Sequence, residues 1–304
     1  MEGSVLSKVV LPLALFIVML GMGLSLIPDD FKRVIKQPKG VLVGVLCQLL
    51  LLPVIGFVVC KVFGLTGALA VGVMILSFSP GGTTSNMISF LSRGDVALSI
   101  SLTAVVSLVT PFTIPLLTNY ALGHFMSSNQ DLTMPVGQTI IVLLAITILP
   151  VGIGMFVKRR APGFALKAEK PVRIISVVVL FLIIAALTLK EKDNLGGFFA
   201  STGLPNFVLN VVCMGMGFAI AKLAQLNKKQ QVTVGVEVGI QNGTTALFVT
   251  QTLLNDSTMS IAPATYSLIM FGTGAIFGVL VNMGKERDDS EGAEAAANPT
   301  ADDS

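Results

Sequence analysis

A single carboxylate lies in the middle of residues 232–254, an apolar stretch long enough to cross a bilayer. It belongs to Glu237, and Gln241 four residues later shares its helix face. A charge at the centre of a membrane helix costs about 2.5–3.5 kcal/mol on insertion scales, so it usually faces a partner, a cavity or an ion. The stretch also carries glycines spaced by four, which allow another backbone to come close or the helix to break: Gly235, Gly239 and Gly243. An anionic, oxygen-rich site at mid-membrane suits a small cation. A structural glutamate that hydrogen-bonds between helices would give the same sequence pattern.

A second apolar stretch contains the run Ser-Pro-Gly-Gly-Thr-Thr-Ser-Asn at residues 79–86. Proline removes a helix hydrogen bond and two glycines loosen the next turn, so we expect the helix to break here. Gly-Thr-Thr recurs at residues 243–245, again in the middle of a span. Irregular backbone at membrane depth is tolerated only where it is buried in protein or lines a cavity. Paired interruptions of this kind indicate the binding site of a transporter.

Two further features carry polar atoms into apolar surroundings. One is a stripe with steps of four, four and three along the fourth span: Ser99, Thr103, Ser107 and Thr110. The other is Gln48, isolated among leucines and valines. From the residues alone, each is either a hydrogen-bonding contact between helices or a ligand.

The composition predicts an all-α polytopic membrane protein. Hydrophobic residues make up 53% of the 304 residues and charged residues only 12%, against about 25% charged in an ordinary soluble domain. We count nine spans, at about residues 8–27, 40–60, 67–91, 95–119, 136–157, 172–189, 205–226, 232–254 and 262–283. An inverted repeat of five plus five helices that lacks its first helix would give nine. It would also set the two broken helices antiparallel, so that they can cross.

The loops divide sharply by charge. With nine alternating spans, the helix ends and loops on one side of the membrane carry 16 of the 20 basic residues. Those on the other side carry only Lys8, Lys61, Lys190 and Lys192. The positive-inside rule therefore predicts a multi-pass protein of the cell (inner) membrane, with its N-terminus outside and its C-terminus in the cytoplasm. Residues 285–304 are polar and predict a disordered cytoplasmic tail.

Several functions find no support in the residues. Gly-x-Ser-x-Gly and His-Glu-x-x-His are absent, and the single histidine, His124, falls in a predicted loop, so an enzyme is not expected. The basic residues are spread over many loops, which gives no nucleic-acid surface. No obligate protein partner is evident, and the lipid bilayer is the expected environment.

The motifs together resemble the bile acid:sodium symporter family over about residues 21–284. The most specific parts are Pro-Gly-Gly-Thr-Thr-Ser-Asn from Pro80, Arg-Gly-Asp-Val-Ala-Leu-Ser from Arg93, and Glu-Val-Gly-Ile-Gln-Asn from Glu237. Bacterial members have ten helices, and by this resemblance the chain begins at the family's second helix. The resemblance implies a core domain at residues 40–122 and 204–284. It implies a panel domain at residues 1–39 and 132–195.

The same resemblance implies sodium-coupled uptake of an organic anion by alternating access, with two sodium ions. The first ion would be held by Ser85, Asn86, Ser99, Thr103 and Glu237. The second would be held by Glu237, main-chain carbonyls, and two glutamines: Val238, Ile240, Gln241 and Gln48. The rival interpretation is a proton-coupled organic anion carrier that uses Glu237 as its proton site. A passive channel is disfavoured because a buried carboxylate surrounded by ligands traps ions, whereas conduction needs sites that an ion can leave.

The expected substrate wall departs from the family pattern. Bile-acid-binding relatives carry Trp-His-Asn on the last helix, where this chain has Met270-Phe271-Gly272. Their Gln-Asn-Ser-Gly becomes the run that starts at Gln241, Gln-Asn-Gly-Thr. A small carboxylate such as pantothenate or a keto acid is therefore expected in preference to a bile acid. The predicted substrate-binding residues are Thr83, Asn242, Thr244 and Phe271.

Overall fold

A computed structural model describes residues 5–126, 132–190 and 195–297, and over these residues the chain is helical without a β-strand. A π-helical turn, Leu6–Val10, leads into the first helix. The helices are α1 (Leu11–Ser25), α2 (Pro28–Lys36), α3 (Pro38–Val62, with a π-helical segment at Cys47–Leu51), α4 (Gly67–Phe78), α5 (Thr83–Leu91), α6 (Val96–Phe125), α7 (Val136–Arg160), α8 (Pro162–Lys190), α9 (Leu195–Leu223), α10 (Lys228–Gly239), α11 (Gly243–Phe248, continued by a π-helical segment, Val249–Leu253) and α12 (Ile261–Ala297).

The architecture is that of a multi-pass membrane protein. Within the described ranges, seven helices are long and apolar enough to cross a bilayer, and the bent pair α4–α5 makes an eighth candidate. The pair α10–α11 is not among these candidates, because each helix is short and α10 begins with Lys-Lys-Gln-Gln. The count of nine spans stays a prediction.

Four helix boundaries differ by six residues or more from those expected, and one of them is the start of α9 at Leu195 instead of residue 205. α6 runs to Phe125 instead of ending near residue 119, and α8 begins at Pro162 instead of residue 172. α12 continues to Ala297, so residues 285–297 are helical where a disordered tail was predicted. Alanine and glutamate have high helix propensity, which favours this extension despite its lack of apolar surface. Residues 298–304 lie outside the described part of the chain.

The first break lies where the sequence predicts it. α4 ends at Phe78, Ser79 is extended with ψ 148°, and α5 resumes at Thr83 after an extended Gly82. The two helices meet at an angle of 67°. Pro80 lacks the N–H that would continue α4, which explains why the helix stops here.

The second break leaves three residues between α10 and α11. α10 ends at Gly239, and Asn242 caps α11, its Oδ1 accepting the N–H of Thr245 at 3.1 Å. The main-chain N–H of Asn242 donates to the carbonyl of Pro80 at 2.8 Å. The two broken helices therefore touch at their breaks, and four helix ends meet in one place.

Packing contacts divide these helices into two groups. In the first, α1 packs most extensively on α7 and also on α8. In the second, α9 packs on α10 and α12, and α4 packs on α6. α1 and α7 approach so closely that a Cβ on Gly154 would come within 2.6 Å of the main-chain oxygen of Leu20. Glycine at this contact removes the side chain that would hold the two helices apart.

Candidate functional site

Glu237 lies in the last turn of α10, next to the point where the two helix breaks touch. Its side chain is fully buried. The described part of the chain has no Lys or Arg ion-paired with it. A buried carboxylate without a cationic partner is costly unless polar groups or a bound cation compensate it.

Two hydroxyl groups from α6 reach the carboxylate. Ser99 donates to Oε1, and Thr103 donates to Oε2 at 3.0 Å. The same two hydroxyls lie close to the amide oxygen of Asn86 in α5, at 2.8 Å and 3.3 Å respectively. The predicted stripe on α6 thus contacts both broken helices, and Ser99, Thr103, Asn86 and Glu237 form one buried cluster.

This cluster has more acceptor oxygens than protons. Ser99 and Thr103 each carry one hydroxyl proton, yet each lies within hydrogen-bonding distance of two acceptors, the carboxylate of Glu237 and Oδ1 of Asn86. With the amide of Asn86 in this orientation, two hydroxyl protons serve four contacts, so some of these oxygens repel one another. A small positive ion would relieve this repulsion, and carboxylate and carbonyl oxygens are ligands that hard cations prefer.

The two predicted glutamines also meet at Glu237. Gln48 lies in the π-helical segment of α3 and donates its Nε2 to the main-chain oxygen of Glu237 at 2.7 Å. Gln241 donates to the carbonyl oxygens of Glu237 at 3.1 Å and of Val238 at 2.8 Å. The Oε1 atoms of Gln48 and Gln241 are buried and have no hydrogen-bond partner. Two unpartnered amide oxygens beside a carboxylate fit the second predicted cation site.

The other predicted ligands are positioned by the breaks themselves. Ser85 is fully buried and forms a local hydrogen-bonded loop with Gly82, its Oγ donating to the carbonyl at 2.8 Å. Ile240 is fully buried and extended between α10 and α11. Gly81 leaves room for the cluster, because a Cβ there would lie 2.8 Å from Oε2 of Glu237 and 3.1 Å from Oγ of Ser85. The structure therefore brings all the predicted cation-binding residues to one region.

Three of the four predicted substrate residues share a small cavity beside the two helix breaks. Thr83, Asn242 and Thr244 line a space of about 20 Å³ together with Met270. Phe271 is not in this lining and packs against Phe181, with ring centroids 5.4 Å apart. A larger cavity of about 260 Å³ has Thr83 in its wall, together with the cluster residue Asn86.

Two residues that the sequence analysis did not select hold the end of α10. Asn210 of α9 and Tyr266 of α12 both donate to the carbonyl of Gly239, at 2.6 Å and 2.7 Å. Both side chains are fully buried. This carbonyl is therefore satisfied by Asn210 and Tyr266, whereas the carbonyls of Glu237 and Val238 accept from the glutamines. An asparagine pair four residues apart in an apolar span, Asn206 and Asn210, is the sequence signal that could have indicated this contact.

A transition-metal centre finds no support in this region. The described residues contain no group of three or more His, Cys, Asp and Glu side chains that could hold a metal ion. The cluster offers oxygen atoms and one carboxylate. Such a set suits a hard monovalent cation better than a zinc or iron ion.

A polytopic helical protein in which two helix breaks touch beside a buried, oxygen-rich cluster has the architecture of a secondary transporter. Comparison with known proteins agrees with this class. Residues 12–198, more than half of the chain, match the model of the sodium bile acid symporter family. The chain belongs to that family, whose members are transporters and not enzymes.

Several relatives carry names of sodium-dependent transporters. The chain is 31% identical to the uncharacterized sodium-dependent transporter YocS of Bacillus subtilis, over 74% of this chain and 68% of the relative. It is 28% identical to the ileal sodium/bile acid cotransporter of Oryctolagus cuniculus, over 90% of this chain and 79% of the relative. It is also 26% identical to the probable sodium/metabolite cotransporter BASS2, chloroplastic, of Oryza sativa subsp. japonica, over 84% of this chain. The match covers 59% of that relative.

Proposed function

We propose that the protein takes up an organic anion together with two sodium ions, by alternating access. The observation that carries this proposal is the buried cluster around Glu237, in which acceptor oxygens outnumber the available protons. A sodium ion supplies the missing positive charge and moves with the substrate as its driving ion. The sodium-dependent relatives support this choice of cation.

The two ions are proposed to bind on either side of the carboxylate. The first ion is held by one side of the Glu237 carboxylate together with Ser85, Asn86, Ser99 and Thr103. The burial of all these side chains supports this ligand set. Gln48 and Gln241 hold the second, with main-chain oxygens of Val238 and Ile240. When the ion binds, the side-chain amides of Gln48 and Gln241 would rotate so that their Oε1 atoms face it. The positive charge of the ion would then offset the repulsion between these oxygens and the main-chain carbonyls. The unpartnered Oε1 atoms of the two glutamines support this rotation.

The remaining parts of the proposal concern movement and drive. The group α1, α7 and α8 acts as a panel against the core that contains both breaks, and the packing of these helices supports the division. The protein lies in the cell membrane with a cytoplasmic C-terminus, as the loop charges indicate. Two sodium ions with one monoanion carry one net positive charge inward, which a potential of 100 mV favours by about 2.3 kcal/mol.

A small carboxylate is proposed as the substrate. The larger cavity, at about 260 Å³, falls below the roughly 300–1,000 Å³ of pockets for drug-sized ligands. The last helix presents Met270 and Phe271 where bile-acid-binding relatives have polar residues, which removes contacts that a steroid conjugate would use. Pantothenate or a keto acid fits this wall better.

Replacing sodium by choline tests the coupling ion. We expect uptake of a small carboxylate into proteoliposomes to require sodium and to persist without a pH gradient. Uptake that continues in choline and follows an imposed proton gradient would instead support the proton-coupled carrier with Glu237 as its proton site.

The two ion sites should respond to separate substitutions. Ser99→Ala and Thr103→Ala should weaken the first site and Gln48→Ala the second, each raising the sodium concentration for half-maximal uptake. The loss of one buried polar partner costs about 1–3 kcal/mol, so shifts of about tenfold are expected. Ser107→Ala is the matched control, because Ser107 lies on the same stripe but its hydroxyl contacts the sulfur of Met22 at 3.9 Å. Wild-type sodium dependence in all three variants would contradict the assignment.

Substrate preference can be measured by competition. Uptake of labelled taurocholate is measured in the presence of sodium, with unlabelled pantothenate or pyruvate as the competitor. We expect weak taurocholate uptake that small carboxylates displace. Tight, sodium-dependent taurocholate uptake that neither competitor reduces would restore the bile acid as the substrate.

A further inference from the structure

The larger cavity has walls from both helix groups. Thr83 and Asn86 of α5 form one side, next to the cation cluster, and Glu169 and Arg173 of α8 contribute the other. Ser25, at the end of α1, lines it as well. The cavity therefore lies between α5 and α6 on one side and two helices of the panel group, α1 and α8, on the other.

The charges that α7 and α8 place beside the cavity do not cancel. Arg173 Nη2 lies 2.6 Å from Oε1 of Glu169, and Lys158 Nζ lies 4.0 Å from the other oxygen of the same carboxylate. Two cations thus share one anion, which leaves a net positive charge beside the cavity. The side chain of Arg173 remains 33% exposed, so a ligand in the cavity can reach it.

Arg173 also has an unused donor. Its Nε–H is buried and has no hydrogen-bond partner. An unpartnered buried donor on a charged group is unfavourable. A carboxylate is the group that an arginine fork binds best, through two parallel hydrogen bonds.

We propose that Arg173 binds the carboxylate of the transported anion, in exchange for its contact with Glu169. This inference rests on the proposed function and names the residue that reads the anionic group. Without substrate, the carboxylate of Glu169 pairs with the guanidinium group of Arg173. When substrate binds, its carboxylate replaces that of Glu169. Because Asn86 lines the same cavity and belongs to the cation cluster, the anion lies between the ion site and the panel group.

Two substitutions should act in opposite directions. Arg173→Gln removes the binding group and should raise the half-saturating pantothenate concentration about tenfold or more, the loss expected for a charge-assisted contact. Glu169→Gln removes the competitor and should lower that concentration severalfold. An ion pair that only stabilises α8 would make both variants equally defective. Arg159→Gln is the matched control, because it removes the same charge from an exposed position on the same side.

A neutral analogue separates a direct contact from a general effect of charge. Panthenol replaces the carboxylate of pantothenate by an alcohol and keeps the rest of the molecule. Wild-type protein should prefer pantothenate over panthenol as a competitor by about tenfold or more, and Arg173→Gln should lose most of this preference. Arg159→Gln should keep it.

The experiment uses the full chain in proteoliposomes with labelled pantothenate and labelled pyruvate, each with sodium and with choline. Opposite shifts for Arg173→Gln and Glu169→Gln, with loss of carboxylate preference in the first, support the inference. Sodium-dependent uptake that is equal in wild type and Arg173→Gln, or a parallel loss in both variants, overturns it while the proposed function stands. Absence of sodium-dependent uptake of either probe in wild type overturns the proposed function and this inference with it.

Discussion

Glu237→Gln should abolish sodium-dependent uptake while the protein remains inserted and folded. The carboxylate is the only anionic side chain in the described cluster, and hydroxyls and amides surround it. The amide keeps the shape and removes the charge, so two bound cations would lose their compensation. Glu237→Ala should fail in the same way. The measurement is uptake of a small carboxylate with sodium and with choline, at matched levels of monodisperse protein.

Folding is not expected to explain the loss in Glu237→Gln. A buried charge without a cationic partner is costly, so the neutral amide should not destabilise the fold, and the thermal unfolding of this variant in choline should match or exceed that of wild type. Wild-type uptake by a well-expressed Glu237→Gln variant would contradict the assignment of both ion sites.

Gly81→Ala should cause the second largest loss. A Cβ at this position would lie 2.8 Å from Oε2 of Glu237 and 3.3 Å from Nε2 of Gln48. The methyl group would occupy space beside the carboxylate and displace groups that hold the cations. The carboxylate of Glu237 must shift to admit the methyl group, so the half-saturating sodium concentration should rise about tenfold, which corresponds to a loss of about 1.4 kcal/mol in binding.

The matched control for this change is Gly152→Ala in α7. A Cβ there meets nothing within 4 Å, and the position is exposed. It should transport like wild type, with a small gain in helix propensity. Gly81→Ala with an unchanged sodium dependence would show that the contact beside Glu237 does not shape the ion site.

Much of the site could be predicted from sequence because membrane physics restricts polar residues. Glu237, Gln48 and the stripe at Ser99 and Thr103 stood out against apolar surroundings, and the structure places them together. The break at Pro80 followed from proline chemistry alone. That Gln48 meets Glu237 did not follow from local pattern, since 189 residues separate them; the family resemblance supplied that pairing.

Other features could not be inferred from local pattern. The contact of Asn210 and Tyr266 with one carbonyl depends on three helices packing together. The extension of α12 to Ala297 was missed because a low apolar content was taken to mean disorder, while its alanines and glutamates favour a helix. The position of Arg173 in the cavity wall could not be predicted from sequence. A basic residue near the end of a predicted span indicates the cytoplasmic side of the membrane and gives no sign of a binding role.

Sodium binding to the purified protein tests the central claim most directly, because it needs no knowledge of the substrate. Thermal unfolding is recorded over a series of sodium chloride concentrations, with choline chloride keeping the ionic strength constant. A ligand that binds only the folded state stabilises it by about 2.7 kcal/mol at a hundred times its Kd, so the Tm of wild type should rise with sodium and the Tm of Glu237→Gln should not. A Tm that is indifferent to sodium in wild type, or that rises equally in Glu237→Gln, would contradict the account.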